Sequence, residues 1–250
     1  MIQLKTKEQI QRIKESCQLL ARMFREIAPL VQVGVSTLEL DKWAEDFVRK
    51  HGGKPAFKGY QGFPATLCTS LNQEVIHGIP KANRKIQEGD LVSLDCGIDL
   101  GGYFSDMAVT YAVGKVTNEE ESLLSVTKQS LDAAIDAMKP GGRIRDVAVA
   151  VTQLVKPYRF GIVDQYCGHG VGFSQHEDPQ VPNALGVGAS PRLVPGMVLA
   201  IEPMINLGKP SVRVLSDEWT VVTTDGKKSA HFEYTVAVTD DHVEILTAEM

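Results

Sequence analysis

The sequence predicts an α+β fold of two pseudo-repeated halves, roughly 1–115 and 116–250, within one domain spanning 1–250. Two observations carry this. The order helix, glycine-containing break, helix, then strands occurs near the N-terminus and again after Asn118. Strand-like runs follow each helix pair, which suggests two pseudo-repeated α+β halves rather than independent domains. A chain of 250 residues has ample length for a substantial core.

Thr6 to Ala28 reads as an amphipathic helix. Ile10, Ile13, Cys17, Leu20, Phe24 and Ile27 recur at three- and four-residue steps, and Thr6-Lys-Glu-Gln9 is a capping-box pattern. Lys5, Lys7, Arg12 and Lys14 read as its solvated face rather than a docking patch. Ser36-Thr-Leu-Glu39 caps a second helix carrying Leu40, Trp43, Ala44 and Phe47, closed by Gly52-Gly53. Lys54 to Thr69 is rich in glycine and aromatics, a composition suited to a lid or to the wall of an apolar pocket. Leu71 to Pro80 follows with His77-Gly78, where glycine permits close backbone approach, and Lys81 to Asp90 is a charged connector.

Leu91 to Thr110 has strand-like apolar content broken at Leu100-Gly101-Gly102. Reversal at Leu100-Gly101 would set Asp95 opposite Asp106, with Cβ atoms roughly 5 Å apart. Two like charges that close are destabilising unless one holds a proton or a cation sits between them. In the second half, Asn118 to Met138 is a long helix, broken at Pro140-Gly141-Gly142 and followed by a helix through Val147, Val151 and Leu154. Cys167-Gly-His169-Gly and Gln175-His176-Glu-Asp-Pro179 each carry a histidine. Gly196 to Glu202 is an apolar run ending in a carboxylate, and Ser229 to Val238 is a strand interrupted by Glu233.

Composition narrows the function classes. Content of 43% apolar and 23% charged residues is that of a soluble globular protein. A formal net charge of -5 argues against a nucleic-acid partner. Four cysteines without CxxC spacing indicate neither a zinc knuckle nor a disulfide framework. MIQLKTKEQI lacks a signal-peptide core and no apolar run could span a bilayer, so a cytoplasmic location off the membrane is expected.

Each acid alone has a bland reading, since a carboxylate on a strand is usually a solvated edge residue. Together, Asp95, Asp106, Glu202 and Glu233 are four acids in segments that otherwise read as buried. Buried charges are normally paired or bound to metal, and these segments hold few basic partners. Their combined charge would balance two divalent ions.

These residues and their order resemble the type I methionine aminopeptidases over nearly the whole chain. The motifs are Cys68-Thr-Ser-Leu-Asn72 leading to His77-Gly-Ile-Pro80, Asp95 with Asp106, and Cys167-Gly-His169-Gly; His176-Glu-Asp-Pro179, Ile201-Glu202-Pro203-Met204 and Glu233-Tyr-Thr235 complete them. The resemblance implies the pita-bread (creatinase/aminopeptidase) fold, a single catalytic domain whose antiparallel strands form the metal site inside an outer layer of helices. It implies a dinuclear site of Asp95, Asp106, His169, Glu202 and Glu233. In that arrangement Asp106 and Glu233 bridge the ions, Asp95 binds one, and His169 and Glu202 bind the other. Two divalent ions can lower the pKa of a shared water and aim it at an amide carbonyl. Glu202 would carry the proton to the leaving nitrogen. His176 would stabilise the developing oxyanion and His77 would contact the substrate.

The implied ligand set suits Co, Mn, Fe or Zn alike. The implied methionine pocket is Phe57, Tyr60, Phe63, Cys68 and Trp219, whose soft apolar walls suit a thioether. Gln175 departs from the family, which usually has an aromatic before His176; the expectation is a pocket wall weakened there. The implied substrate is the N-terminal methionine of nascent polypeptides near the ribosome, and the implied state is a monomer. Xaa-Pro aminopeptidases and prolidases share some of this pattern but lack the Cys68–Pro80 motif. Metal-free peptide-docking modules of the same fold have lost ligands that this chain keeps. A structural protein with solvated acids would have no reason to show all of these spacings.

Overall fold

In the computed structural model, which describes residues 1–186 and 188–248, four α-helices flank four antiparallel sheets. Helix α1 (Lys7–Ile27) starts where its capping box predicts: Thr6 Oγ1 accepts from the Gln9 amide, and Gln9 Oε1 accepts from the Thr6 amide. Ser36 and Glu39 close the same box on α2 (Thr37–Lys50). Thr117 and Glu120 do so on α3 (Asn118–Ala137). Each box satisfies donors that a first helical turn leaves unpaired. Helix α4 (Arg145–Val155) follows the Pro140-Gly141-Gly142 break.

Two large buried clusters divide the core. One joins α1 and α2 to the strand Leu91–Asp99 through Phe24, Ile27, Leu40, Phe47, Leu94 and Ile98. The other joins α3 and α4 to the strands Val198–Ile201 and Tyr234–Val238 through Leu131, Val151, Leu199 and Val236. Helix α1 also touches strands of the second half, because in a third, smaller cluster its N-terminal half seats Ile13 and Cys17 on Val171, Val198, Ala200 and Ala237. Fully burying side chains of this size contributes roughly 1.5–3 kcal/mol each, so α1 fastens one half to the other.

The acidic hairpin forms in a different register from the one expected. Gly97 stands opposite Asp106, and Asp95 opposite Ala108. The turn centres on Gly101-Gly102, at φ of 65° and 88°, with Leu100 and Tyr103 exchanging backbone hydrogen bonds across it. A tight hairpin turn wants positive φ at both central residues, which two glycines adopt freely and Leu100 resists. The partner of each residue moves by two positions, so both acids keep the same face, now as diagonal neighbours. The segment from Ser229 to Val238 is likewise two strands and not one. Ser229–His231 pairs with Met204–Asn206, Tyr234–Val238 pairs with Val198–Ile201, and Glu233 lies at the break. There the Glu233 amide donates to Ala108 O at 2.9 Å, bridging the hairpin to the second half.

Candidate functional site

Five chain segments bring their acids and a histidine to one place along this seam. Asp95 and Asp106 come from the hairpin, His169 from the strand Gly168–Gly170, Glu202 from the end of Val198–Ile201, and Glu233 from the break. All five are buried. Asp106, His169 and Glu233 offer ligand atoms within 4.8 Å of one another. His169 Nε2 lies 3.6 Å from Asp106 Oδ2 and 3.5 Å from Glu202 Oε1. Glycines on both sides of His169 let the sheet close around it: a Cβ at 168 would sit 2.2 Å from Ala200 O, and one at 170 would sit 2.3 Å from Asp178 O.

His169 has a defined tautomer. Its Nδ1 lies 2.8 Å from Gly170 O, and a carbonyl only accepts, so Nδ1 carries the proton. Nε2 is left with its lone pair toward the acids, the arrangement typical of a metal-binding imidazole.

Burial forces the protonation of these groups away from normal. Burial raises Asp95 to about 8. Burial first, then Asp95 and Glu202, drives Asp106 far above the usual carboxylate range; burial, then Asp95, raises Glu202, and burial, then Asp106, Glu202 and Asp95, raises Glu233. Burial, and then His176, holds His169 down to about 3. Among the described residues, no lysine or arginine forms an ion pair with any of the four acids. Asp95 Oδ1, Asp106 Oδ1 and Glu233 Oε1 are buried without a hydrogen-bond partner. Orphaned carboxylate oxygens facing an imidazole lone pair form an O/N donor set that fits divalent cations.

The cluster is the floor of a cavity of about 420 Å³. Phe57, Tyr60, Phe63, Cys68 and Trp219 all line it, with His77 and His176 at its sides. Phe63 meets Trp219 edge to face at 5.1 Å, and Tyr60 stacks on His176 at 5.2 Å. The His176 ring centroid is 4.1 Å from that of His169. His77 is held at a positive φ of 59°, and burial, then His176, lowers it to about 4.

Gln175 does not belong to this wall. It is 1% exposed, is absent from the cavity lining, and its amide donates to Asp106 Oδ2. A buried amide needs a polar partner, and the carboxylate beneath it provides one that an apolar pocket could not. Two residues went unread in the sequence. Tyr166 lines the cavity and meets His77 edge-on at 6.0 Å; its only signal was an aromatic one residue before Cys167. His231 is 1% exposed, has neither ring nitrogen hydrogen-bonded, and places Nε2 3.8 Å from Glu202 Oε2. Its position two residues before Glu233, in a strand of mixed content, carried no distinguishing mark.

Lys5 is not part of a solvated face. It precedes α1 and pairs with Glu177, the two side chains being 1% and 2% exposed. Glu177 also accepts from the Phe173 and Ser174 amides at 2.6 and 3.0 Å, so the pair secures the loop that presents His176. Lys5→Met should therefore cost roughly 3–5 kcal/mol, because it strands a buried charge. Urea unfolding at pH 7 measures this, and a loss below about 1 kcal/mol would mean that the pair is effectively solvated.

Residues 11–240 match the model of metallopeptidase family M24. A methionine aminopeptidase of Treponema pallidum is 53% identical over 248 residues, covering 99% of this chain and 96% of the relative. The crystal structure of a methionine aminopeptidase from Thermotoga maritima superposes with a TM-score of 0.96 at 40% identity, over the full length of both chains. A prolidase from Pyrococcus furiosus shares the fold at a TM-score of 0.79 and 23% identity, with this chain covering 66% of it. The architecture is the pita-bread fold that the motifs implied.

Proposed function

The chain belongs to metallopeptidase family M24 and, within it, to the methionine aminopeptidases, and from that premise we propose how its own residues excise an N-terminal methionine from peptides and nascent proteins in the cytoplasm. The reading rests on one observation: an O/N cluster of four buried acids and His169 forms the floor of a cavity with an aromatic wall. Four carboxylates are too much buried charge for one ion, so two are proposed, held by Asp95, Asp106, His169, Glu202 and Glu233. When bound, the ions would activate a water and polarise the scissile carbonyl.

The remaining work falls to side chains. Phe57, Tyr60, Phe63, Cys68 and Trp219 receive the methionine side chain. Its apolar thioether gains from leaving water, while a charged side chain would lose its hydration there. With the ions bound, a free, unprotonated α-amine could ligate one of them, which would restrict cleavage to the first residue. His176, at the cavity mouth beside His169, is placed to donate to the carbonyl oxygen as it gains charge. Glu202, next to His169 Nε2, accepts the proton of the attacking water and delivers it to the leaving nitrogen.

Metal-free protein supplied with Mn(II) should release free methionine from Met-Ala-Ser and none from the N-acetylated peptide. Equal cleavage of the blocked peptide, or release of an internal fragment, would overturn the aminopeptidase reading.

A further inference from the structure

We infer that Gln175 is a positioning residue for the metal site, its amide fixing the Asp106 carboxylate in the orientation that accepts a divalent cation; this rests on the dinuclear reading above. Gln175 Nε2 donates to Asp106 Oδ2 at 2.5 Å in a fully buried setting. That oxygen is also the one 3.6 Å from His169 Nε2, so amide and imidazole converge on a single carboxylate atom.

The opposite strand is shaped to admit the amide. Gly97 stands directly across the hairpin from Asp106, and a Cβ there would lie 2.5 Å from Gln175 Oε1 and 2.8 Å from Nε2. Any side chain at 97 would expel the amide, so Gly97 and Gln175 form one construction.

The main chain of Asp106 is pinned separately. Its amide donates to Thr235 Oγ1 at 3.1 Å, and that hydroxyl donates back to Asp106 O at 2.7 Å. The freedom left to Asp106 is rotation of its side chain, and the Gln175 bond removes it. Oδ1 stays without a partner, free to meet a cation. Hydrogen bonds of this kind to a ligating carboxylate are commonly worth 10–100-fold in metal affinity. A side chain without a donor at 175 could fill the space but could not hold the carboxylate.

Gln175→Met keeps the length and volume and deletes the donor. Metal-free wild type and variant are titrated with Co(II), following the visible ligand-field absorption, and with Mn(II) by calorimetry. The expected result is about 10–100-fold weaker binding and a changed Co(II) spectrum. The ratio of kcat/KM for Met- and Leu-terminated peptides at saturating Co(II) should not change. Gly97→Ala, which displaces the amide from the facing strand, should reproduce the weakening and serves if Gln175→Met does not fold. Dissociation constants within about threefold of wild type in the folded variants would overturn the inference, as would a Met/Leu ratio that moves while affinity stays. Wild type that takes up no Co(II) would overturn the dinuclear reading as well. Wild type that binds Co(II) and releases methionine beside unaltered variants would sink this inference alone.

Discussion

Removing divalent metal from the protein is expected to abolish methionine release, to do so reversibly, and to leave a fold whose stability falls as pH rises from 6.5 to 8. The cause is the same in each case. Asp95, Asp106, Glu202 and Glu233 are buried together with no lysine or arginine pairing with them among the described residues. Without a cation they retain protons, Asp95 until about pH 8, and the other three well above the usual carboxylate range because they are buried beside one another. An unfolded chain sheds those protons near pH 4. Between the two values the folded state binds more protons than the unfolded state, so the slope of stability with pH is negative. The histidines act on the other side. His77, His169 and His231 are held neutral by burial, at about 4, 3 and 3, so their contribution is lost only as pH falls below about 6.5. From pH 6.5 to 8 the acids therefore dominate, each carboxyl that stays protonated costing about 1–2 kcal/mol, against an opposing gain of roughly 0.4 kcal/mol from each histidine held neutral. Saturating Mn(II) should reverse the trend, because binding releases those protons and becomes tighter as pH rises. Urea unfolding of metal-free and Mn(II)-loaded protein at the two pH values measures both slopes. Metal-free stability that rises across the window, or full activity in protein shown to hold no metal, would end the proposal.

What the sequence made legible follows from the range of the forces involved. Helix starts were readable because a capping box is a contact between residues three apart, and both boxes read from the sequence close as such. The acids were readable because a carboxylate inside an apolar run has no local explanation. The hairpin register was not: two overlapping dipeptides, Leu100-Gly101 and Gly101-Gly102, each make a turn, and only the cost of positive φ at leucine separates them. Lys5 was misread because its burial is decided by Glu177, 172 residues away. Gln175 was placed in the pocket wall by analogy with an aromatic. A polar side chain in a buried position follows its hydrogen bond instead, and its acceptor, Asp106, lies in the other half of the chain. For Lys5 and Gln175 the missing information was a long-range partner.

Glu202→Gln is expected to lower kcat by roughly 10³–10⁵-fold at saturating metal, combining the loss of a proton carrier with weakened ligation. Glu202 Oε1 lies 3.5 Å from His169 Nε2 on one side, and Oε2 lies 3.8 Å from His231 Nε2 on the other. Asn183 Nδ2 donates to the Glu202 carbonyl at 3.0 Å and holds its backbone in place. Glutamine keeps an oxygen for ligation and nearly the same shape. It carries no charge to accept a proton, so the leaving amine would depart unprotonated, a poor leaving group. His176→Ala separates the two effects. His176 lines the side of the cavity, its ring packed against Tyr60 and His169, and lies outside the proposed ligand set. Its loss should leave metal affinity unchanged and lower kcat by on the order of 10²–10³-fold, as for one oxyanion donor. Steady-state kinetics on Met-Ala-Ser, paired with Mn(II) calorimetry on both variants, gives the comparison. If Glu202→Gln at saturating Mn(II) stays within tenfold of wild type, the proton is carried by another group. His231 would then be the next candidate, since it is the other buried base beside that carboxylate. If His176→Ala loses an ion, His176 is a ligand and its assignment as an oxyanion donor is wrong.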